Sequence, residues 1–230
     1  MVGIVKALLI GKVQTYGDEN AANSINKIWQ SAIFKTATND EIYADKFGFH
    51  GDEVADKKHH GGAEKAIFAN SYENYPVWSE FLGLNNLPFG AMGENLTISG
   101  IHEESVYIGD VHKIGSLVLQ VSQPRKPCFK LSKRWMNAGV AKEIFRSGLS
   151  GWYYRVLEAG ACKAGDSVEM VSRDDSSMSV ADVNRVFYAP KENANLIDKF
   201  MNLRCLSVGW QDDLKKRIEG VYDTSYMDII

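Results

Sequence analysis

Through the first two-thirds of the chain, apolar and β-branched positions fall in short runs separated by glycine-containing breaks. The runs cover 2–13, 28–36, 65–69, 95–98, 105–108, 111–114, 117–122, 152–157 and 167–172. Gly109-Asp110 and Gly115-Ser116 separate three of them at hairpin spacing. The most strongly apolar run is Leu117-Val118-Leu119-Gln120-Val121. Many short strands at this density predict a barrel or closed sheet rather than a βαβ array. Two helical inserts are predicted. One spans 72–82, with Tyr75, Trp78 and Leu82 on one face; the other spans 140–145 and ends near Gly148.

The pattern changes after Arg173. A polar bridge, Asp174-Asp175-Ser176-Ser177-Met178, leads into helical spacing. Ser179 with Asp182 reads as a capping box. Val180, Val183, Val186 and Phe187 form one stripe that stops at Pro190. Leu196, Ile197, Phe200, Met201 and Leu203 mark a second helix. Ser207 is the expected cap of a third, which carries Trp210, Leu214 and Ile218 and ends at Gly220. The expected fold is therefore mainly β: a barrel domain with helical inserts over 1–173, then a small three-helix domain over 174–230.

Composition narrows the class. The chain has 230 residues, 45% of them hydrophobic and 24% charged, which suits a soluble globular protein and excludes a disordered or fibrous one. With 26 basic and 29 acidic residues the net charge is −3, so no global field draws nucleic acid or an anionic membrane. A local basic pocket stays open. Ala7-Leu8-Leu9-Ile10 is too short to span a bilayer. Cys128, Cys162 and Cys205 have neither disulfide-framework nor zinc-knuckle spacing, so a reducing compartment, the cytoplasm, is expected.

The strongest chemical signal follows the strongest strand. In Gln123-Pro124-Arg125-Lys126-Pro127-Cys128-Phe129-Lys130, two prolines hold the chain extended and deny it ladder hydrogen bonds. Such a loop at a barrel mouth presents Cys128 among Arg125, Lys126 and Lys130. Nearby cations favour the thiolate, so this cysteine is expected to be acidic, as a nucleophile or a soft metal ligand. The plain alternative is a buried, inert thiol, which is the reading for Cys162 and Cys205.

Three further clusters stand out. In the stretch from Lys57 to Lys65, His59 and His60 are expected on opposite faces of a strand and so cannot share a metal. Gly61-Gly62, flanked by Lys58, His60 and Lys65, could cradle a phosphate or simply turn the chain. Gly90-Ala91-Met92-Gly93-Glu94-Asn95 is a tight bend whose Glu94 and Asn95 face a ligand or close an Asx turn. In Ser150-Gly151-Trp152-Tyr153-Tyr154-Arg155, alternation puts Trp152 and Tyr154 on one face, Tyr153 and Arg155 on the other. Asp174-Asp175 and Asp212-Asp213 read as solvated charges. Glycine-rich dinucleotide, Walker and G-x-S-x-G motifs are absent from the sequence.

These segments together resemble the MOSC domain, named for the C-terminal part of molybdenum-cofactor sulfurases, in its bacterial YiiM-like branch. The resemblance is carried by His60-Gly61-Gly62, Gly93-Glu94-Asn95-Leu96, Val106-Tyr107-Ile108-Gly109-Asp110, the run 120–131 and Gly151-Trp152-Tyr153-Tyr154-Arg155-Val156. The helical tail is similar to the three-helix extension of that branch. The resemblance implies a MOSC-type β-barrel that binds a molybdenum cofactor, a pterin dithiolene bearing a phosphate. It assigns Cys128 as metal ligand and catalytic residue. His60, Gly61, Gly62, Asn95, Arg125, Lys130 and Arg155 become the cofactor-binding candidates. Related proteins reduce N-hydroxylated compounds such as hydroxylamino-purines, with electrons from a separate reductase, and homodimer formation is left open. Two positions depart from the pattern. Ala63 stands where a proline usually follows His-Gly-Gly, and Phe68-Ala69-Asn70-Ser71 lacks a histidine often found there. The competing readings are a non-catalytic carrier of the cofactor or of sulfur on Cys128, and a metal-free thiol enzyme.

Overall fold

The computed structural model describes residues 3–225, so Val2, at the head of the first expected strand, lies outside the described residues. Seven strands form the barrel: β1 (Gly3–Ile10), β2 (Ile67–Ser71), β3 (Leu96–Ser99), β4 (Val111–Ile114), β5 (Leu117–Pro124), β6 (Trp152–Glu158) and β7 (Ser167–Ser172). Their order is β7-β4-β5-β6-β2-β3-β1, and β1 pairs back onto β7 through Gly3 with Val168 and Ile4 with Ser167. Only the β2–β3 pair is parallel. Closure removes the exposed edges an open sheet of this size would carry. In β5 the alternation is plain: Leu117, Leu119 and Val121 are fully buried, while Val118 and Gln120 are half-buried.

Two expected strands differ. The run 28–36 splits into Trp29–Ser31 and the edge strand Thr36–Thr38, which pairs with β1. The run 105–108 is a turn, not a strand. Val106 and Ile108 are buried there, but their backbone bonds go to the tail: the Ile108 amide donates to the Met178 carbonyl at 2.9 Å and the Val180 amide to the Val106 carbonyl at 2.8 Å. A small three-stranded sheet, Ile42–Asp45 with Gly48–Phe49 and Gly160–Cys162, was not legible in the sequence.

Seven α-helices follow in chain order among the described residues: α1 (Lys57–His60), α2 (Tyr75–Leu82), α3 (Phe129–Trp135), α4 (Val140–Ser147), α5 (Val180–Tyr188), α6 (Ile197–Met201) and α7 (Trp210–Glu219). The expected inserts are α2, which buries Tyr75 and Trp78, and α4, closed by Gly148 at φ 72°. The Ser179 hydroxyl accepts from the Asp182 amide at 3.0 Å, and Asp182 answers the hydroxyl rather than the backbone. Ser207 is not the cap of α7. Gly209, at φ 96°, holds that position, and the Ser207 amide instead donates to the Ser122 carbonyl at 2.9 Å.

One apolar cluster runs from the barrel interior (Leu8, Ile98, Leu119, Trp152) into α5, α6 and α7 (Val183, Phe187, Phe200, Trp210, Leu214). A second, with Phe68, Trp78, Leu131, Ile144 and Tyr153, holds α2, α3 and α4 against the outside of the barrel. Among the described residues no helix is long and apolar enough to cross a membrane.

His112 of β4 is buried between Tyr154 and Asp110. Its Nδ1 lies 2.7 Å from the Tyr154 hydroxyl and its Nε2 3.9 Å from the Asp110 carboxylate. Burial pushes the ring's pKa down to about 4, against the pull of Asp110. The unfolded chain therefore takes up this proton first, and the native state is penalised as pH falls from the free histidine value toward 4. Unfolding free energy should be flat in this contribution above about pH 6.5 and drop by roughly 2–3 kcal/mol on the way to pH 4. Chemical denaturation at several pH values, with His112→Asn removing this share of the slope, checks it.

Candidate functional site

The site is built where β5 ends. The β5–β6 register slips between Val121 and Gln123, so Ser122 sits on a bulge. Its hydroxyl lies 2.6 Å from the Glu64 carbonyl and 3.1 Å from that of Tyr153, and its own carbonyl is free to take the Ser207 amide. After Pro124 the loop carries Arg125, Lys126, Pro127 and Cys128. Cys128 is still extended, at φ −145° and ψ 135°, and α3 starts at the next residue. The presenting loop is thus shorter than expected, because Phe129 and Lys130 already belong to a helix.

Cys128 is 7% exposed, and its Sγ lies 3.5 Å from Nε2 of His60. His60 ends α1, the single helical turn capped by Asp56. The Asp56 carboxylate accepts from the His59 amide at 3.1 Å and lies 2.9 Å from His59 Nδ1. His59 and His60 therefore serve different partners, as expected, but on a helical turn rather than a strand. The expected acidic thiol is overturned. Burial pushes the Cys128 thiol up, and the charges of Arg125 and Lys130 oppose this without prevailing. Burial, then Arg125, Lys130 and Lys65, push His60 down to about 4. At neutral pH a thiol faces an uncharged imidazole.

Cys128 lies where two hollows meet. The smaller, about 90 Å³, is also lined by Lys35, Asp52, Asn95 and Lys130. The larger, about 610 Å³, is bounded by Lys58, His59, Lys126 and Phe129 on one side and by Trp210 and Tyr222 on the other. Asp56, His60, Lys65, Arg125, Cys128 and Tyr153 line both. Arg125 is 7% exposed and lies 4.8 Å above the Phe68 ring, and its Nη1 donates to the Met92 carbonyl. Its buried Nε has no partner. The Lys130 amide donates to the Cys128 sulfur, while its ammonium has no hydrogen bond or ion pair among the described residues. A buried guanidinium with an unused donor and a second free cation call for an anion beside the thiol.

The remaining candidates fall in different places. The Asn95 side chain lines the smaller hollow but is already engaged: it donates to the Leu9 carbonyl at 3.2 Å and to Asp52 at 2.8 Å, and accepts from the Phe68 amide at 3.2 Å. Gly61 and Gly62 line neither hollow. Gly62, at φ 96°, turns the chain so that Lys65 comes back and its Nζ donates to the His59 carbonyl at 2.6 Å. Arg155 also lies outside both linings. Its guanidinium pairs with Glu64 and donates to Gln120 Oε1 at 2.7 Å and to the Cys205 carbonyl at 2.9 Å. Glu94 is fully buried and accepts from Tyr75, Thr97 and the Met92 amide, so the 90–95 bend closes on itself. Its turn needs glycine: Gly93 has φ 83°, and a Cβ there would lie 2.7 Å from Ile33 Cγ1. Trp152 and Tyr154 pack in the core, whereas Tyr153 reaches the hollows. Sequence reasoning missed the buried Lys35–Asp52 ion pair, since no local spacing links those positions. It also missed Asp213, which pairs with Lys126 instead of facing solvent.

Among proteins of known sequence, a family model of the MOSC domain matches residues 56–169, and a model of the YiiM-like, 3-alpha helix domain matches 178–220. The chain is 36% identical over 213 residues to the uncharacterized protein YflK of Bacillus subtilis, covering 93% of each chain. The chain belongs to the MOSC-domain family, in its YiiM-like group. Protein YiiM of Escherichia coli is 32% identical over 209 residues, covering 90% of this chain and 89% of that one. The crystal structure of YiiM from Geobacillus stearothermophilus superimposes with a TM-score of 0.76 at 30% identity, over 94% of this chain and 99% of that one. A protein of Gibberella moniliformis named "Reductase" is 36% identical over 201 residues, 84% of this chain but 35% of that protein. In that case the chain spans about a third of its relative. The MOSC match takes in the Asp56 cap, His60 and the Cys128 loop, and the helical match takes in Trp210 and Asp213.

Millimolar inorganic phosphate should raise the melting temperature of the purified chain by a few degrees, through mass-action binding beside Arg125. Arg125→Gln should abolish that rise, and thermal melts of both proteins with and without phosphate check it.

Proposed function

We propose that this MOSC-domain chain binds a molybdenum cofactor, with Cys128 as the protein's ligand to the metal, and reduces N-hydroxylated compounds such as hydroxylamino-purines with electrons from a separate reductase. In this reading the barrel, 1–173, holds the cofactor, and the helical part, 174–230, closes the larger hollow. The observation that carries it is the Cys128 thiol between two hollows, beside an Arg125 whose buried Nε lacks a partner. The donor set supports the same reading. Among the described residues no group of three or more His, Cys, Asp or Glu side chains stands together as a metal site. One sulfur holds a metal only if that metal brings most of its own ligands, as a dithiolene-bound metal does.

When bound, the cofactor supplies the two-electron metal chemistry that removes the N-bound oxygen. The protein's own groups do the rest. Arg125 and Lys130 are placed to neutralise a phosphate, with Lys65 close by on the rim. The His60 ring, held uncharged, has its Nε2 3.5 Å from Sγ and helps orient the sulfur where the hollows meet. Tyr153, Phe129, Trp210 and Tyr222 supply apolar walls that suit a flat heterocycle and exclude water. The Reductase relative, in which a matching module is part of a longer chain, supports a role beside an electron-donating partner. The sequence has no dinucleotide-binding motif, which fits electrons arriving from outside. Three free cysteines fit a reducing compartment, the cytoplasm.

Protein purified from a host that makes the cofactor should contain close to one molybdenum per chain and reduce an N-hydroxylated purine with a supplied donor. Cys128→Ser should lose the metal or lower kcat by about 100-fold or more, as expected for removal of a group acting on the reacting centre. Elemental analysis with steady-state assays checks both. Molybdenum without turnover would select the carrier reading. Activity in molybdenum-free protein that is killed by alkylating Cys128 would select the thiol-enzyme reading.

A further inference from the structure

Arg125 and Lys126 leave the loop in opposite directions. Arg125 turns in, to Phe68 and the Met92 carbonyl. Lys126 turns out, toward the helical tail, where its ammonium pairs with Asp213 of α7. The same ammonium lies 4.6 Å from the ring centre of Trp210, 5.0 Å from that of Phe187 and 5.7 Å from that of Tyr222. The side chains of the pair are 28% and 25% exposed, so water screens them less than a surface pair. Two more ties join the tail to this stretch. Trp210 Nε1 donates to Gln123 Oε1 at 3.0 Å, and the Ser207 amide donates to the Ser122 carbonyl at 2.9 Å.

The loop has little to hold it otherwise. Pro124 and Pro127 carry no amide hydrogen. Among the described residues, the Arg125 amide makes the loop's one donated backbone–backbone bond, to the Gly151 carbonyl at 3.4 Å, near the limit of useful length. Side chains must therefore fix the backbone that carries Cys128.

We propose that Lys126 is a positioning residue: its caged ammonium anchors the 124–128 loop to α7 and so fixes the Cys128 thiol and the Arg125 guanidinium where the two hollows meet. The tail thereby becomes part of the site's geometry. The catalytic consequence rests on the cofactor reading, but the anchoring does not, and it is tested first on the cofactor-free full chain.

The measurement is the rate at which iodoacetamide alkylates each cysteine, followed by peptide mass spectrometry, in wild type, Lys126→Met, Lys126→Arg and Asp213→Asn. Cys162 is fully buried and reports global opening. Lys126→Met and Asp213→Asn should each speed alkylation of Cys128 by about tenfold or more while Cys162 keeps its wild-type rate, because a local opening has been made easier. Lys126→Arg should return Cys128 to within about twofold of wild type, since it keeps the charge and the ring contacts. Unchanged Cys128 rates, a parallel rise at Cys162, or failure of the arginine variant to restore protection would each overturn the proposal. Should one variant fold poorly, the other probes the same contact from its opposite side. In loaded protein, Lys126→Met should lower kcat with little change in KM. A wild-type chain that takes up no molybdenum yet shows the alkylation pattern would defeat the cofactor reading and leave the anchoring intact.

Discussion

Two prolines flank Arg125 and Lys126, and between Pro124 and Cys128 the backbone has almost no ladder bonds of its own. Everything at the barrel mouth depends on how that deficit is met. Here two adjacent cations meet it from opposite sides, one clamped inward on an aromatic ring and a carbonyl, the other outward on a carboxylate and three rings. A loop tied in this way is stiff because its side chains are trapped. It can therefore leave backbone groups unpaired and still hold its largely buried thiol at the meeting of two hollows, which a hydrogen-bonded strand could not do.

Electrostatics around the thiol are decided by burial more than by proximity of charge. Arg125 and Lys130 would lower the thiol's pKa at an exposed site. At 7% exposure, loss of water around the sulfur raises it instead. The same desolvation keeps His60 uncharged among Arg125, Lys130 and Lys65. The site is therefore rich in fixed positive charge, and no carboxylate among the described residues pairs with Arg125. A phosphate and a soft metal fragment would satisfy both the cations and the sulfur at once.

The β-bulge at Ser122 shows how barrel and tail are coupled. The slip in register frees the Ser122 carbonyl from the sheet, and the tail occupies it through Ser207. The turn at 105–108 does the same on another side, giving its backbone to Met178 and Val180. A single apolar cluster then continues from β5 into α7. The tail is thus joined by hydrogen bonds at points where the sheet has released them.

Much of this was legible in the residues themselves. The apolar run that becomes β5, the glycine breaks, the Ser179 start and Gly148 end, and the proline-braced Cys128 are local, and local chemistry is what a sequence displays. The strand count and the change of texture after Arg173 led to the barrel and the helical tail for the same reason. What the residues could not show were relations between distant positions. Lys35 meets Asp52, Lys126 meets Asp213, and Arg155 is consumed by Glu64. Those pairings follow from barrel closure and tail docking, which bring together side chains whose sequence separation carries no signal. Solvent exposure was equally hidden. Only the folded chain sets how much water reaches Cys128, and that decides whether its neighbouring cations or its own burial govern the sulfur.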